Sequence, residues 1–261
     1  MNLTGKTAII TGSTSGIGLG IAHGFAEAGA NVVLNGFGDP KEIEQSVAAL
    51  EALGAGGVIY DGADMTMPDE ILAMVARAEA EFGAVDVLVN NAGIQTVEAV
   101  EDFPPERWDM IVAINMSSAF HTTRAALPGM KKRGWGRIIN ISSAHGLVAS
   151  PYKSAYVTAK HGITGFTKTV ALEAAQDGVT VNAICPGYVL TPLVQKQIPE
   201  TAAARGITEE EVKRDVLLAA QWTKKFVTVE QLAGVALFLC SDAAENITGV
   251  SLPVDGGWTA A

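Results

Sequence analysis

The sequence predicts an α/β fold: a Rossmann-type doubly wound parallel sheet of about seven strands, helices on both faces, in a single domain spanning 1–261. Three observations predict it. Short β-branched apolar runs recur along the chain, helical patterns fill the intervals between them, and a glycine-rich turn follows the first run. Alternation of that kind predicts parallel strands joined by helical crossovers.

The strands are expected at 6–11, 31–35, 57–61, 85–90, 137–142, 179–185 and 250–254, each too short for a helix and apolar enough for burial on both faces. Helices are expected at 16–28, 40–53, 68–82, 105–133, 154–176 and 229–241, with Ser154 the N-cap of the fifth. No repeat or linker interrupts them. Residues 191–222 break the rhythm: they form a substrate lid beside the strand ends, or two helices packed on the body.

With 48% of 261 residues apolar, a sizeable core is available. A net charge of −10, spread along the chain, argues against a nucleic-acid partner. No signal-peptide pattern opens the sequence and no apolar stretch reaches membrane-spanning length, so no membrane partner is expected. Cys185 and Cys240 sit in apolar surroundings without CxxC or metal-ligand spacing. They read as reduced core residues of a cytoplasmic protein, with no metal site.

The chemistry concentrates in 136–160. Ser142, Ser143 and His145 follow the fifth strand, where open parallel sheets bind ligands. Tyr156 and Lys160 are four apart and share a helix face. A free phenol titrates near ~10; an ammonium one turn away pulls that value down. The serine can hold a substrate oxygen while the tyrosine exchanges its proton. Alone, the pair also reads as amphipathic filler and a solvated lysine. At the other end, Thr11-Gly-Ser-Thr-Ser-Gly-Ile-Gly18 joins a strand to a helix, a turn where backbone can approach a pyrophosphate at the helix N-terminus.

Together these residues resemble the short-chain dehydrogenase/reductase family over the whole chain. The family's cofactor turn is met by Thr11 to Gly18, its Asn-Asn-Ala-Gly by Asn90 to Gly93, its helix asparagine by Asn115, its serine by Ser143, and its Tyr-x-x-x-Lys by Tyr156 and Lys160. Pro186-Gly187 and Asp255-Gly-Gly257 complete the order. The resemblance implies a nicotinamide enzyme. Tyr156 is its general acid/base, Ser143 positions the reacting oxygen, Lys160 tunes the tyrosine and holds ribose, and Asn115 anchors a water relay. It implies cofactor contacts from Gly12, Thr14, Ser15, Gly16, Ile17, Gly18, Asn91, Ala92, Gly93, Pro186, Gly187, Val189 and Thr191, with Asp64 and Met65 at the adenine. Neither the glycine turn nor the residues just after the second strand offer a cation for a 2′-phosphate, so the expected cofactor is NAD. Asn35 replaces the usual acid at that strand tip; Asp39 reaches the ribose or Phe37 packs on the adenosine.

Gln95, His145, Lys153 and Gln197 would surround the nicotinamide end and can cage a small carboxylate, the imidazole charged or neutral. Each has a plainer reading as a surface or turn residue. Phrases such as Asn91-Ala-Gly-Ile-Gln95, Ser143-Ala-His-Gly-Leu-Val-Ala149 and Leu190-Thr-Pro-Leu-Val-Gln-Lys-Gln197 resemble the family branch that oxidises 3-hydroxybutyrate. That branch implies NAD-dependent, reversible conversion of (R)-3-hydroxybutyrate to acetoacetate, the four polar residues on the carboxylate and aromatics such as Tyr188 and Trp258 lining the rest. It also implies a homotetramer, with the apolar C-terminus around Trp258 as a subunit contact. Two departures stand out: Tyr188 occupies a tryptophan position, and the segment around Trp222 lacks the expected proline. The alternatives are another oxidoreductase of the family, such as a 3-oxoacyl-thioester reductase, and a non-catalytic dinucleotide sensor.

Overall fold

Apolar runs four to eight residues long form seven strands: β1 (Thr7–Ile10), β2 (Asn31–Asn35), β3 (Gly57–Asp61), β4 (Val87–Asn90), β5 (Gly136–Ile141), β6 (Val179–Pro186) and β7 (Ser251–Val254). In the computed structural model, which describes residues 1–261 except the side chains of Leu193, Gln197 and Ala204, they make one parallel sheet ordered β3-β2-β1-β4-β5-β6-β7. Strands β1, β4, β5 and β6 are buried from end to end, which explains their lack of polar alternation. Chain order reverses between β1 and β4, and their carboxyl ends diverge into the crevice that such sheets use for ligands.

Helices α1 (Gly16–Glu27), α2 (Pro40–Ala52), α3 (Pro68–Phe82), α4 (Pro105–Val112), α5 (Ser118–Arg133), α6 (Ser154–Ala174), α7 (Pro192–Arg205), α8 (Glu209–Glu211) and α9 (Val229–Cys240) connect the strands. One core layer packs Ile21 and Phe25 of α1 and Leu232 and Leu239 of α9 on the sheet. The opposite layer packs Ile71 and Met74 of α3, Met130 of α5 and Val170 of α6. Among the described residues no helix is long and apolar enough to cross a membrane.

The expected single helix at 105–133 is a correction. A wide π turn, Ala113–Ser117, separates α4 from α5. Inserting a residue there turns the Asn115 side chain inward, where it is buried. The 191–222 stretch is ordered as α7, α8 and a second wide turn, Val212–Leu217.

Candidate active site

The glycine turn has the geometry of an anion cradle. Gly12 and Gly16 have φ of +60° and +56°, and a Cβ on Gly12 would stand 2.8 Å from the Ala92 Cα. A Cβ on Gly18 would stand 2.5 Å from Asn91 Nδ2. At the start of α1, Ser15 makes no side-chain cap bond and the first turn carries no acid, so the helix's amides and positive end remain available to an anion. The two sides of the cradle are sewn together: Thr11 Oγ1 accepts from the Asn91 and Ala92 amides at 3.0 Å, and Asn91 Nδ2 donates to the Thr11 and Gly12 carbonyls at 2.9 Å. Thr191, the N-cap of α7, lies opposite, its methyl 3.6 Å from where a Gly16 Cβ would be. Ile17 is part-buried, while Pro186 is buried in β6 and Val189 just beyond it, near the same mouth.

Asn35 corrects the expectation of a cofactor contact. Its side chain is fully buried, accepting from the Gly12 amide at 3.2 Å and donating to the Asp61 and Ala63 carbonyls at 3.1 and 2.9 Å. It clips the glycine turn to the end of β3 and has nothing left for a ribose. Asp39 caps α2 through the Lys41 and Glu42 amides. Phe37 is 68% exposed on the rim, its carbonyl held by Thr14 Oγ1 at 2.8 Å. One Asp64 oxygen accepts from the Thr66 amide and hydroxyl, and Met65 beside it is buried.

Ser143, Tyr156 and Lys160 come together at the end of β5. The Ser143 oxygen accepts from the His145 amide at 3.1 Å. Lys160, nearly fully buried, donates to the Ile141 carbonyl at 2.7 Å, its Nζ 5.6 Å from the centre of the Tyr156 ring. Burial lowers Lys160 to about 8. Burial also raises the Tyr156 phenol; the Ser143 hydroxyl draws it down, and Tyr188 adds a smaller raise. The expected depression of the phenol by Lys160 is therefore corrected for the protein on its own: the ammonium is turned to a strand carbonyl, and desolvation wins.

Aromatic rings wall this corner. His145 meets Tyr156 edge to plane at 6.1 Å and Trp258 at 5.0 Å, and Trp258 stacks on Tyr188 at 5.9 Å with 5° between planes. Trp258 thus turns inward on the site. His145 is buried and lowered to about 4, by desolvation and then by Lys153 and His161. It is neutral at pH 7, which corrects the charged imidazole considered above. Lys153 is half-buried at the start of α6, lowered by burial, and no carboxylate among the described residues pairs with it. Gln95 is exposed on the loop after β4. The Gln197 side chain lies outside the described residues.

Sequence reasoning missed the supporting layer. Beneath the site, Asn90 donates to Asn140 at 2.8 Å, Asn140 to Thr167 at 2.9 Å, and Thr122 to Asn90 at 2.6 Å, a buried network joining β4, β5, α5 and α6. Polar residues at the centre of a strand or helix were its only signal. The Asn115 side chain serves the same layer, accepting from the Ile94 amide at 2.8 Å and donating to its carbonyl at 2.9 Å. Gln221, wholly buried, accepts from the Tyr188 amide and donates to the Lys225 carbonyl at 2.7 Å.

Comparison with known proteins adds the following. The family model described as short chain dehydrogenase matches residues 6–202. A protein of Rhizobium meliloti (strain 1021) named D-beta-hydroxybutyrate dehydrogenase is 64% identical over 255 residues, covering 98% of this chain and 99% of the relative. One of the same name from Cupriavidus necator is 58% identical over 259 residues, 99% of each chain. A crystal structure described as a candidate gluconate dehydrogenase from Agrobacterium tumefaciens is 35% identical and superposes with a TM-score of 0.88, covering 100% of this chain and 98% of that one.

Proposed function

The chain belongs to the short chain dehydrogenase family, and on that premise we propose that it oxidises (R)-3-hydroxybutyrate reversibly to acetoacetate with NAD. The observation that carries the reading is the convergence at Tyr156: Ser143 on one side, buried His145 edge-on at 6.1 Å, and beside His145 the half-buried Lys153, which pairs with no carboxylate among the described residues. The relatives named for D-beta-hydroxybutyrate support the same substrate.

The uncapped α1 terminus and the Gly12–Gly18 cradle fit a dinucleotide's pyrophosphate; Asp64, one oxygen of which is held by Thr66, is the residue the family resemblance assigns to the adenine. A nicotinamide dinucleotide held there supplies or accepts the hydride. The protein's own residues handle the oxygen and its proton. Ser143 holds the ketone oxygen of acetoacetate, and the protonated Tyr156 gives it a proton as reduction proceeds, taking it back in the oxidative direction. Lys160, anchored on Ile141 one turn from the phenol, favours the phenolate only together with a charged nicotinamide ring, since in the protein alone burial outweighs it. The Lys153 ammonium takes the substrate carboxylate, with neutral His145 and amide groups as hydrogen-bond donors. NAD is favoured over its phosphorylated form because neither the Gly12–Gly18 turn nor the residues just after β2 carry a lysine or arginine for a 2′-phosphate.

We further read 191–222 as a substrate lid, the assembly as a homotetramer and the location as the cytoplasm, where two buried free thiols stay reduced. Light scattering checks the second of these.

The test is a steady-state panel of acetoacetate and a 3-oxoacyl thioester with NADH and NADPH. Acetoacetate with NADH is expected to give the highest kcat/KM; preference for the thioester with NADPH overturns the reading. Tyr156→Phe is expected to lower kcat by roughly 10²-fold or more, and full turnover there removes its assigned role. Lys153→Ala is expected to raise KM and lower kcat together. An unchanged kcat/KM takes Lys153 out of the cage.

A further inference from the structure

We propose that Gln221 is a positioning residue that fixes the aromatic wall of the substrate pocket and so sets the length of acid accepted. The inference rests on the substrate reading above. Gln221 is wholly buried, and both ends of its carboxamide are spent: the oxygen on the Tyr188 amide, the nitrogen on the Lys225 carbonyl. A buried amide so engaged is costly to leave half-satisfied, so it holds its two partners at fixed separation.

Those partners belong to two of the three loops at the pocket. Tyr188 follows β6; Gln221–Lys225 ends the insertion; Asp255–Trp258 follows β7. The Val227 amide donates to the Tyr188 carbonyl at 2.9 Å, and the Thr223 amide to the Gly256 carbonyl at 3.0 Å. Gly187 and Gly256 carry no side chain because a Cβ on either would run into Gln221 or Thr223. Lys224 adopts a left-handed φ of +51° between them, its Nζ donating to the Leu218 and Ala219 carbonyls. The Lys224 amide donates back to the Gln221 carbonyl at 3.0 Å and closes this turn. From Tyr188 the chain of contact runs by stacking to Trp258 and edge-on to His145, which borders the reacting phenol. Gln221 reaches the substrate only through these rings.

Gln221→Met keeps the volume but leaves the Tyr188 amide and Lys225 carbonyl unpaired. Gln221→Glu keeps the acceptor for Tyr188, and burial favours its protonated form, whose hydroxyl can stand in for the lost N–H toward the Lys225 carbonyl. The measurement is kcat and KM for acetoacetate and 3-oxopentanoate with NADH, alone and in a Tyr188→Ala background. A well-walled pocket discriminates one methylene by roughly 10–200-fold. Gln221→Met is expected to cut the preference for the shorter acid about tenfold, mainly through a raised KM for acetoacetate, with a smaller change in NADH affinity. Gln221→Glu should fall between, and it carries the test where the methionine variant does not fold. In the Tyr188→Ala background either change should add little. Preference unchanged in the variants, or effects fully additive with Tyr188→Ala, overturns the proposal. Wild type inactive on acetoacetate sinks the substrate reading instead.

Discussion

His145 and Tyr156 meet edge to plane, and burial holds both rings in their neutral forms. For His145 the folded value of about 4 lies below the ordinary 6.5, so the unfolded chain takes up its proton first. Its contribution to stability is complete above about 6.5 and is lost as pH falls through about 4. Urea unfolding across that window should show an acid loss of up to about 2 kcal/mol, allowing for partial solvation, that is absent in His145→Asn. An identical acid limb in both proteins removes His145 from the account. In the proposed mechanism Tyr156 and Lys160 act on rates. Reduction needs the protonated phenol, which its raised pKa secures well past neutrality, while oxidation gains as pH rises. The Lys160 charge disappears as pH climbs through about 8. The kcat/KM for acetoacetate reduction should therefore be level at neutral pH and decline above about 8, with the break missing in Lys160→Ala. Tyr152 sets Lys153 from the backbone side, with φ of +63° and its carbonyl accepting from the Glu98 amide at 2.9 Å.

At the scale of elements, the strands were legible because burial on both faces leaves an unbroken apolar run, as in Val179–Pro186 with every residue buried. Helical spacing put Tyr156 and Lys160 on one face, but only the family motifs found in order along the chain set that pair apart from amphipathic filler. The interruption of 105–133 was not legible, since no proline or glycine marks Ala113–Ser117 and the extra residue of the π turn answers to a partner distant in sequence, the Ile94 backbone. Asn35 misled for a related reason: position on a strand tip suggests a ligand, but only the fold reveals that Gly12, Asp61 and Ala63 consume its amide. The π turn gives a prediction. Asn115→Ala leaves the Ile94 amide and carbonyl unpaired, at a cost of about 1–3 kcal/mol, and loosens the loop bearing Gln95. Hydrogen exchange should show lost protection at Ile94 together with a lower Tm. Protection kept at Ile94 contradicts the role given to the asparagine.

The whole molecule divides its labour between the carboxyl and amino ends of the strands, two opposite rims of one sheet. Everything assigned to ligand lies at the carboxyl ends, where Gly12, Asn91, Ser143, Gly187 and Trp258 arrive on separate strands. The opposite rim holds a charge cluster with no ligand role. Asp86, 5% exposed, accepts from the Thr7 amide at 3.0 Å and lies 3.5 Å from Lys6 and 3.7 Å from Arg133. Trp135 is sandwiched nearby by Lys6 at 4.1 Å and Arg137 at 4.5 Å. Asp86→Ala leaves a buried amide and two cations without their acceptor, so unfolding free energy should drop by about 1–3 kcal/mol. Because β4 is rigid and the site lies at its far end, kcat/KM should stay within about twofold of wild type. Asn140→Ala is the contrasting case. It removes the link between Asn90 and Thr167 directly beneath Ser143 and Lys160, and should lower stability and kcat/KM together. Urea melts paired with initial rates separate the two. A tenfold loss of kcat/KM in Asp86→Ala would show that the amino-end rim shapes the carboxyl-end one, and the division between rims would fail.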